Sequence, residues 1–284
     1  MSTNKSIKNI LITGAGGYIG RHVVDSAIHK QYHVSCSDIN FSTKFNDVTY
    51  YKKDILSDSL NPDLYTNLGS PDIIIHLAWQ NGFNHSAVSH LEQLPKHFNF
   101  LKNMIDSGCK SISVIGSMHE VGYFEGEVDS NTPCNPLSLY GIAKNTLRQA
   151  LTIYCAPKNV SLKWLRAFYV TGDDYNNKSI FSKILRMAED GQKTFPFTSG
   201  INKYDFLDID TLSDYILTAS VQNKISGIIN VCSGKPVALK DKVDEFIKLN
   251  KLDIKPEYGA FKEREYDSPA IWGNTDLINK IMND

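Results

Sequence analysis

A chain of 284 residues, 42% hydrophobic and 21% charged, carries enough apolar material for one large domain, or a domain with a smaller lobe. Its 30 Lys and Arg against 31 Asp and Glu leave a net charge of -1 with the signs interspersed, which speaks against a nucleic-acid partner. It has no apolar run near the roughly 18–20 residues of a membrane span, and its polar start, MSTNKSIKN, leads directly into a strand; a cytoplasmic protein with no membrane partner is expected. In chain order, β-branched runs predict strands at Asn9–Thr13, His33–Asp38, Val48–Tyr51, Asp72–Leu77, Ser111–Gly116 and Ser161–Tyr169. Amphipathic stretches between them predict helices at Gly20–Lys30, Leu91–Ser107 and Leu139–Tyr154. Runs such as IIIHLA and LKWLRAFYV suit strands covered on both faces, and the alternation is that of βαβ units.

The fold expected is therefore α/β, a doubly wound (Rossmann) parallel sheet with a smaller C-terminal α/β lobe. After Gly172 the pattern loosens: helices are expected at Ser179–Glu189, Thr211–Val221 and Leu239–Asn250, with a short strand GIINVCS and a mixed tail. No linker separates the parts, so residues 1–172 and 173–284 are expected to form two intertwined lobes, the second capping the carboxyl edge of the sheet. Scattered Cys36, Cys109, Cys134, Cys155 and Cys232 form no CxxC pair and read as small buried hydrophobes. The eight histidines lack a spacing such as HExxH, so no metal is expected.

ILITGAGGYIGRHVV places Gly14, Gly17 and Gly20 in a GxxGxxG spacing after a strand and at the opening of a helix. Ile19 occupies the third glycine position of the related GxGxxG spacing. Glycines there permit a tight turn and close approach of a pyrophosphate to the free amides of the helix start. Asp38, 24 positions past Gly14 at the end of the second strand, is placed to accept hydrogen bonds from ribose hydroxyls and to repel a 2′-phosphate. NAD is favoured over NADP, although Arg21 beside Gly20 is a candidate phosphate partner that keeps NADP in view.

Further on, NPLSLYGIAKNTLRQAL sets Tyr140 and Lys144 at i, i+4 on one helix face. A tyrosine titrates near pH 10, too high for ready proton exchange at neutral pH. An adjacent ammonium favours its phenolate and is expected to bring its pKa down. The apolar strand SISVIG ends at Ser117, followed closely by His119 and Glu120.

With these residues in place, the chain resembles an extended short-chain dehydrogenase/reductase of the NAD-dependent epimerase/dehydratase group, which acts on nucleotide-activated sugars. The resemblance runs through TGAGGYIG, Asp38, the pair Asp54 and Ile55 in KDILS, IIHLAW, Ser117, Tyr140, Lys144, LRAFYVTG, YDFLDIDTLSDYI and INVCSGKPVALKD. It implies that Gly14, Gly17, Tyr18, Ile19, Asp38, Asp54, Ile55, Leu77, Ala78, Tyr140 and Lys144 bind the dinucleotide. It also implies that Ser117 hydrogen-bonds the reacting sugar oxygen, Tyr140 exchanges its proton, and Lys144 tunes Tyr140 and holds the cofactor ribose. Trp79, Ser117, His119, Tyr169 and Arg264 are the expected substrate contacts, Arg264 gripping the nucleotide diphosphate. A homodimer through Leu91–Ser107 and Leu139–Tyr154 is a further implication.

The pattern also breaks. Trp79 stands where the family usually has a small residue, and the loop QNGFNHSAVSH behind it offers Gln80 and Asn84 as contacts or as a plain polar loop. His97, Tyr169 and Tyr204 (with Lys203 beside it) replace a common Asn, Asn and Arg, and the tail NKIMND is expected to lack the family's G-W-x-P segment and last helix. The dehydratase Thr-Asp-Glu reads Ser117-Met118-His119 here, leaving Glu120 one position late, as a solvent or loop-capping residue. His119 is a candidate acid/base or sugar contact. The function expected is reduction of a 4-keto nucleotide sugar, or the reverse oxidation. The alternatives are a nucleotide-sugar 4-epimerase and a non-enzymic dinucleotide sensor.

Overall fold

Most β-branched runs of the first half become buried strands in a computed structural model, which describes residues 8–263 and 267–283, while the run at Val48–Tyr51 gives a half-exposed strand at the sheet edge. The elements of this half are β1 (Ile10–Thr13), α1 (Tyr18–His29), β2 (Val34–Asp38), β3 (Thr49–Lys52), α2 (Leu64–Asn67), β4 (Ile73–His76), α3 (Ser89–Asp106), β5 (Ser111–Ser117), β6 (Gly126–Val128), α4 (Leu139–Cys155), β7 (Ser161–Ala167) and β8 (Tyr169–Thr171). Then come α5 (Ile180–Glu189), β9 (Thr194–Pro196), β10 (Lys203–Asp208), α6 (Ile209–Val221), β11 (Gly227–Val231), β12 (Pro236–Ala238), α7 (Leu239–Leu249), β13 (Lys255–Glu257), β14 (Ala270–Gly273) and α8 (Asp276–Asn283).

Seven strands form a parallel sheet in the order β11-β7-β5-β4-β1-β2-β3. Strand order reverses between β1 and β4, and Thr13 sits in register with Ser37 of β2 and His76 of β4. That reversal opens a crevice at the carboxyl ends, where open α/β sheets take ligands. One face is covered by α1, α6 and α8, through Val23, Val24, Leu212, Ile216, Ile278 and Ile281. The other is covered by α2, α3 and α4, through Leu64, Phe100, Leu101, Leu147 and Leu151. The doubly wound sheet is thus as expected.

The second half is more interwoven than its sequence pattern. β11 extends the main sheet beside β7, whereas β6 from the first half joins a second sheet, β12-β10-β14-β6, with β8 also paired to β10. The strand expected over Ser161–Tyr169 breaks at Phe168, whose buried ring enters the core of the second sheet with Met118, Val121, Tyr204 and Ile271. The mixed tail expected at the end resolves into β14 and α8, and Ile278 and Ile281 bury one face of α8 in the main core. Its two apolar turns are too short to stand out as a helical period.

Candidate functional site

The glycine turn follows β1. Gly14 has φ +68, and a Cβ built there would lie 2.5 Å from the Ala78 amide nitrogen, so only glycine lets this turn seat against the chain leaving β4. At Gly20 a Cβ would meet the Gly14 carbonyl oxygen at 2.0 Å, locking the helix start onto the turn. Gly17 is the N-cap of α1, in extended conformation and with no side-chain cap. Its helix start therefore keeps the partial positive charge that suits an anion. Leu77 and Ala78 line the neighbouring strand end, the Leu77 amide bonded to the Thr13 carbonyl at 3.1 Å.

Asp38 stands at the end of β2, its carboxylate accepting from the amides of Gly16 (2.9 Å) and Ile39 (2.7 Å). Asp54 caps its own turn, accepting from the Leu56 amide and from the Ser57 amide and hydroxyl; these bonds hold its carboxyl below the usual range. Ile55 is buried beside it. Tyr18 and Arg21 turn elsewhere. The Tyr18 hydroxyl donates to the Gly172 carbonyl at 2.5 Å, and the Arg21 guanidinium pairs with Asp173, which also meets His22 at 2.9 Å. Arg21 is thus committed to an internal ion pair, which removes the one residue that kept NADP in view. A close-packed glycine cradle, an uncapped helix start and a carboxylate at the next strand end fit an adenine dinucleotide.

Ser117 ends β5 and opens a single 3₁₀ turn over Met118–Glu120. The start of α4 lies against that turn, since a Cβ at Gly141 would meet the His119 carbonyl at 2.3 Å; Ser138 caps the helix by accepting from the Gly141 amide. This packing brings Tyr140 beside the Ser117 side chain. Lys144, one turn later, is 1% exposed and donates to the Ile115 carbonyl at 2.8 Å. Burial pushes its ammonium down to about 7, with Glu120 opposing. The expected lowering of the tyrosine is not found. Burial drives Tyr140 upward, because its desolvation outweighs the lowering by Ser117 and the Glu120 charge adds to the rise. As it stands, Tyr140 holds its proton firmly.

Glu120 is not solvent-exposed. It is fully buried, accepting from the Ser117 amide at 2.6 Å and from the Trp164 indole nitrogen at 2.9 Å, and facing Arg166 at 3.6 Å. It does cap the Ser117 turn, in a reciprocal capping box.

A cleft next to this group is lined by His85, His119, Leu137, Ser138, Tyr169, Tyr204, Asp267 and Ser268, among others. His119 and Tyr169 fall where a substrate contact was expected, the Tyr169 ring packed 4.4 Å from that of Tyr204. Trp79, half-buried, does not line it; its ring stacks on that of the buried His97 at 4.3 Å. Gln80 bonds Gln93 and the Asn84 carbonyl accepts from His90, so both serve the loop itself. The residue this loop brings to the cleft is His85, which the sequence reading passed over. The only signal was a histidine in a segment already marked as unusual. Arg264 lies outside the described residues.

The profile described as the NAD dependent epimerase/dehydratase family matches residues 10–232. The chain belongs to that family. It is 46% identical over 271 residues to the dTDP-6-deoxy-L-talose 4-dehydrogenase (NAD(+)) of Aggregatibacter actinomycetemcomitans, covering 93% of this chain and 99% of that protein. A putative UDP-glucose 4-epimerase of Methanocaldococcus jannaschii is 26% identical over 92% of this chain and 86% of its own length. Among solved structures, MoeE5 in complex with UDP-glucuronic acid and NAD superposes with a TM-score of 0.82 at 22% identity, over 97% of this chain and 92% of that one. That likeness is one of fold. As a member of this family the chain is an NAD-dependent enzyme, which sets aside the non-enzymic reading. Among the described residues no helix is long and apolar enough to cross a membrane.

Proposed function

We propose that this enzyme modifies a nucleotide-activated sugar by NAD-linked redox chemistry at C4, interconverting a 4-hydroxy and a 4-keto sugar. The observation that carries this reading is the Ser117–Tyr140–Lys144 group, with Tyr140 beside the Ser117 side chain and Lys144 one turn on, next to a dinucleotide cradle. The kinship to a 4-dehydrogenase over 99% of that protein's length supports both the position and the cofactor. In this reading Gly14, Gly17, Tyr18, Ile19 and Asp38 hold the pyrophosphate and ribose, through main-chain amides and the carboxylate, and Asp54, Ile55, Leu77 and Ala78 flank the remainder. When bound, NAD supplies the hydride acceptor, or in its reduced form the donor.

Ser117 orients the sugar oxygen at C4, and Tyr140 gives it a proton in the keto-to-hydroxy direction or takes one in reverse. Residues 1–172 would supply these groups and residues 173–284 most of the substrate lobe. The cleft with His119 and Tyr169 would take the sugar and its diphosphate, with Arg264 at the latter. A homodimer through α3 and α4 is part of the proposal, as Leu91, Ile142 and Ile153 on these helices are exposed.

The test is NADH formation from dTDP-6-deoxy-L-talose and NAD, followed by absorbance, with Tyr140→Phe as control. Loss of roughly 10²–10⁴ in kcat with NAD binding kept is expected for a general acid/base. Unchanged turnover in that variant would remove Tyr140 from the mechanism. A 4-epimerase, the alternative that the more distant relatives favour, would interconvert two hydroxy sugars with no net NADH.

A further inference from the structure

Lys144 presents a physical problem. An ammonium that is 1% exposed has given up nearly all its water, and one carbonyl, that of Ile115, takes one of its three donors. Against this, the Lys144 nitrogen lies 3.8 Å from the centroid of the Trp79 ring, within cation–π range of the aromatic type that binds cations best. The edge of the same ring meets Tyr140, centroids 6.1 Å apart at 78°.

Trp79 is itself held on two sides. Its indole N–H donates to Nδ1 of His90 at 3.1 Å; that nitrogen is therefore an acceptor, and Nε2–H of His90 donates to the Asn84 carbonyl at 2.8 Å. One face stacks on His97 at 4.3 Å and 13°. His97 is fully buried and bonded to His76 at 2.9 Å, and His76 to the Thr13 hydroxyl at 2.8 Å. Thr13 directly precedes Gly14, so this chain of contacts ends at the cofactor turn.

We propose that Trp79 is a positioning residue that holds the Lys144 ammonium beside Tyr140, and that the buried Thr13–His76–His97 chain fixes Trp79 in turn. The inference rests on the reading of Tyr140 and Lys144 as the proton-handling pair. It moves Trp79 from the substrate contacts to the support of Lys144, and it explains why a large aromatic is accommodated after β4. The charged and titratable groups facing Lys144 are Glu120 from the turn after β5, with Arg166 of β7 paired to it, Tyr140 on its own helix, and His76 and His97 from β4 and α3. Burial keeps both histidines neutral, so Trp79 supplies the π face without adding a competing charge.

Trp79→Leu removes the π face and keeps the pocket dry, whereas Trp79→Phe keeps a ring. The Lys144 side-chain signal, followed by NMR in lysine-labelled protein without ligand and assigned by its loss in Lys144→Met, reads the effect directly. The ammonium should titrate on the order of one pH unit lower in Trp79→Leu and close to the parent value in Trp79→Phe. With cofactor and nucleotide sugar, Trp79→Leu should lose about tenfold in kcat with the sugar KM unchanged, and Trp79→Phe should recover most of it. If the leucine variant does not fold, Trp79→Met takes its place.

Identical Lys144 titration in all three proteins would overturn the proposal, as would a raised sugar KM at constant kcat, which would return Trp79 to the substrate. The NMR titration needs no turnover. An inactive parent enzyme would thus defeat the functional reading and leave the Trp79–Lys144 contact still measurable.

Discussion

The imidazole of His85 lies nearly parallel to the ring of Tyr140, 5.2 Å between centroids and 11° between planes, and 4.1 Å from the ring of His119. The Tyr140 amide also donates to the His85 carbonyl at 3.1 Å, so the loop before α3 clamps the tyrosine at both main chain and ring. Replacing the ring by His85→Ala should cost about tenfold in kcat/KM, about 1.4 kcal/mol of transition-state stabilisation, while His85→Phe should restore the share due to stacking alone. Steady-state kinetics on the two variants separate ring packing from hydrogen bonding by the imidazole.

The proposed role of Asp38 is to set the choice of dinucleotide. In Asp38→Ala the Gly16 and Ile39 amides lose their carboxylate, and the repulsion of a 2′-phosphate disappears. Affinity for NAD should fall about tenfold and that for NADP should rise, with calorimetric titration of both giving the ratio. With Arg21 tied to Asp173, the variant should not reach a full reversal of preference.

Glu120 is a structural anion. Glu120→Ala leaves the buried Arg166 guanidinium without its carboxylate and the Trp164 N–H without an acceptor, and should cost about 3–5 kcal/mol in urea unfolding. Glu120→Gln retains the shape and one acceptor and should cost less. A Glu120→Gln protein that unfolds like the parent but has lost all turnover would make the residue catalytic instead.

Acid stability follows from His76, which burial holds neutral, its pKa driven down from 6.5 to about 3. The unfolded chain binds a proton below 6.5 that the folded one refuses, so stability falls as pH drops from about 6.5 towards 3. Between pH 7 and 5 the loss from this residue is about 2 kcal/mol, the slope approaching 1.36 kcal/mol per pH unit below 6.5. His97 shifts in the same direction and adds to it. Urea midpoints at pH 7 and pH 5, with His97→Asn showing the shallower dependence, check the sign.

Local periodicity made much of the protein legible. The glycine turn, Asp38 at a strand end and the one-turn spacing of Tyr140 and Lys144 depend on residues near each other in sequence, where turn and helix geometry leave few choices. Likewise, the buried parallel strands declared themselves by unbroken β-branched runs. What the sequence could not hold was the company these residues keep. That Glu120 is an internal cap paired to Arg166, that Arg21 turns to Asp173, that His85 reaches Tyr140, and that Trp79 faces Lys144 all depend on contacts between segments far apart along the chain. The direction of the Tyr140 shift belongs here as well. A neighbouring lysine is visible in the sequence, but the burial that outweighs it exists only once the sheet, α4 and the loop before α3 have closed around the phenol.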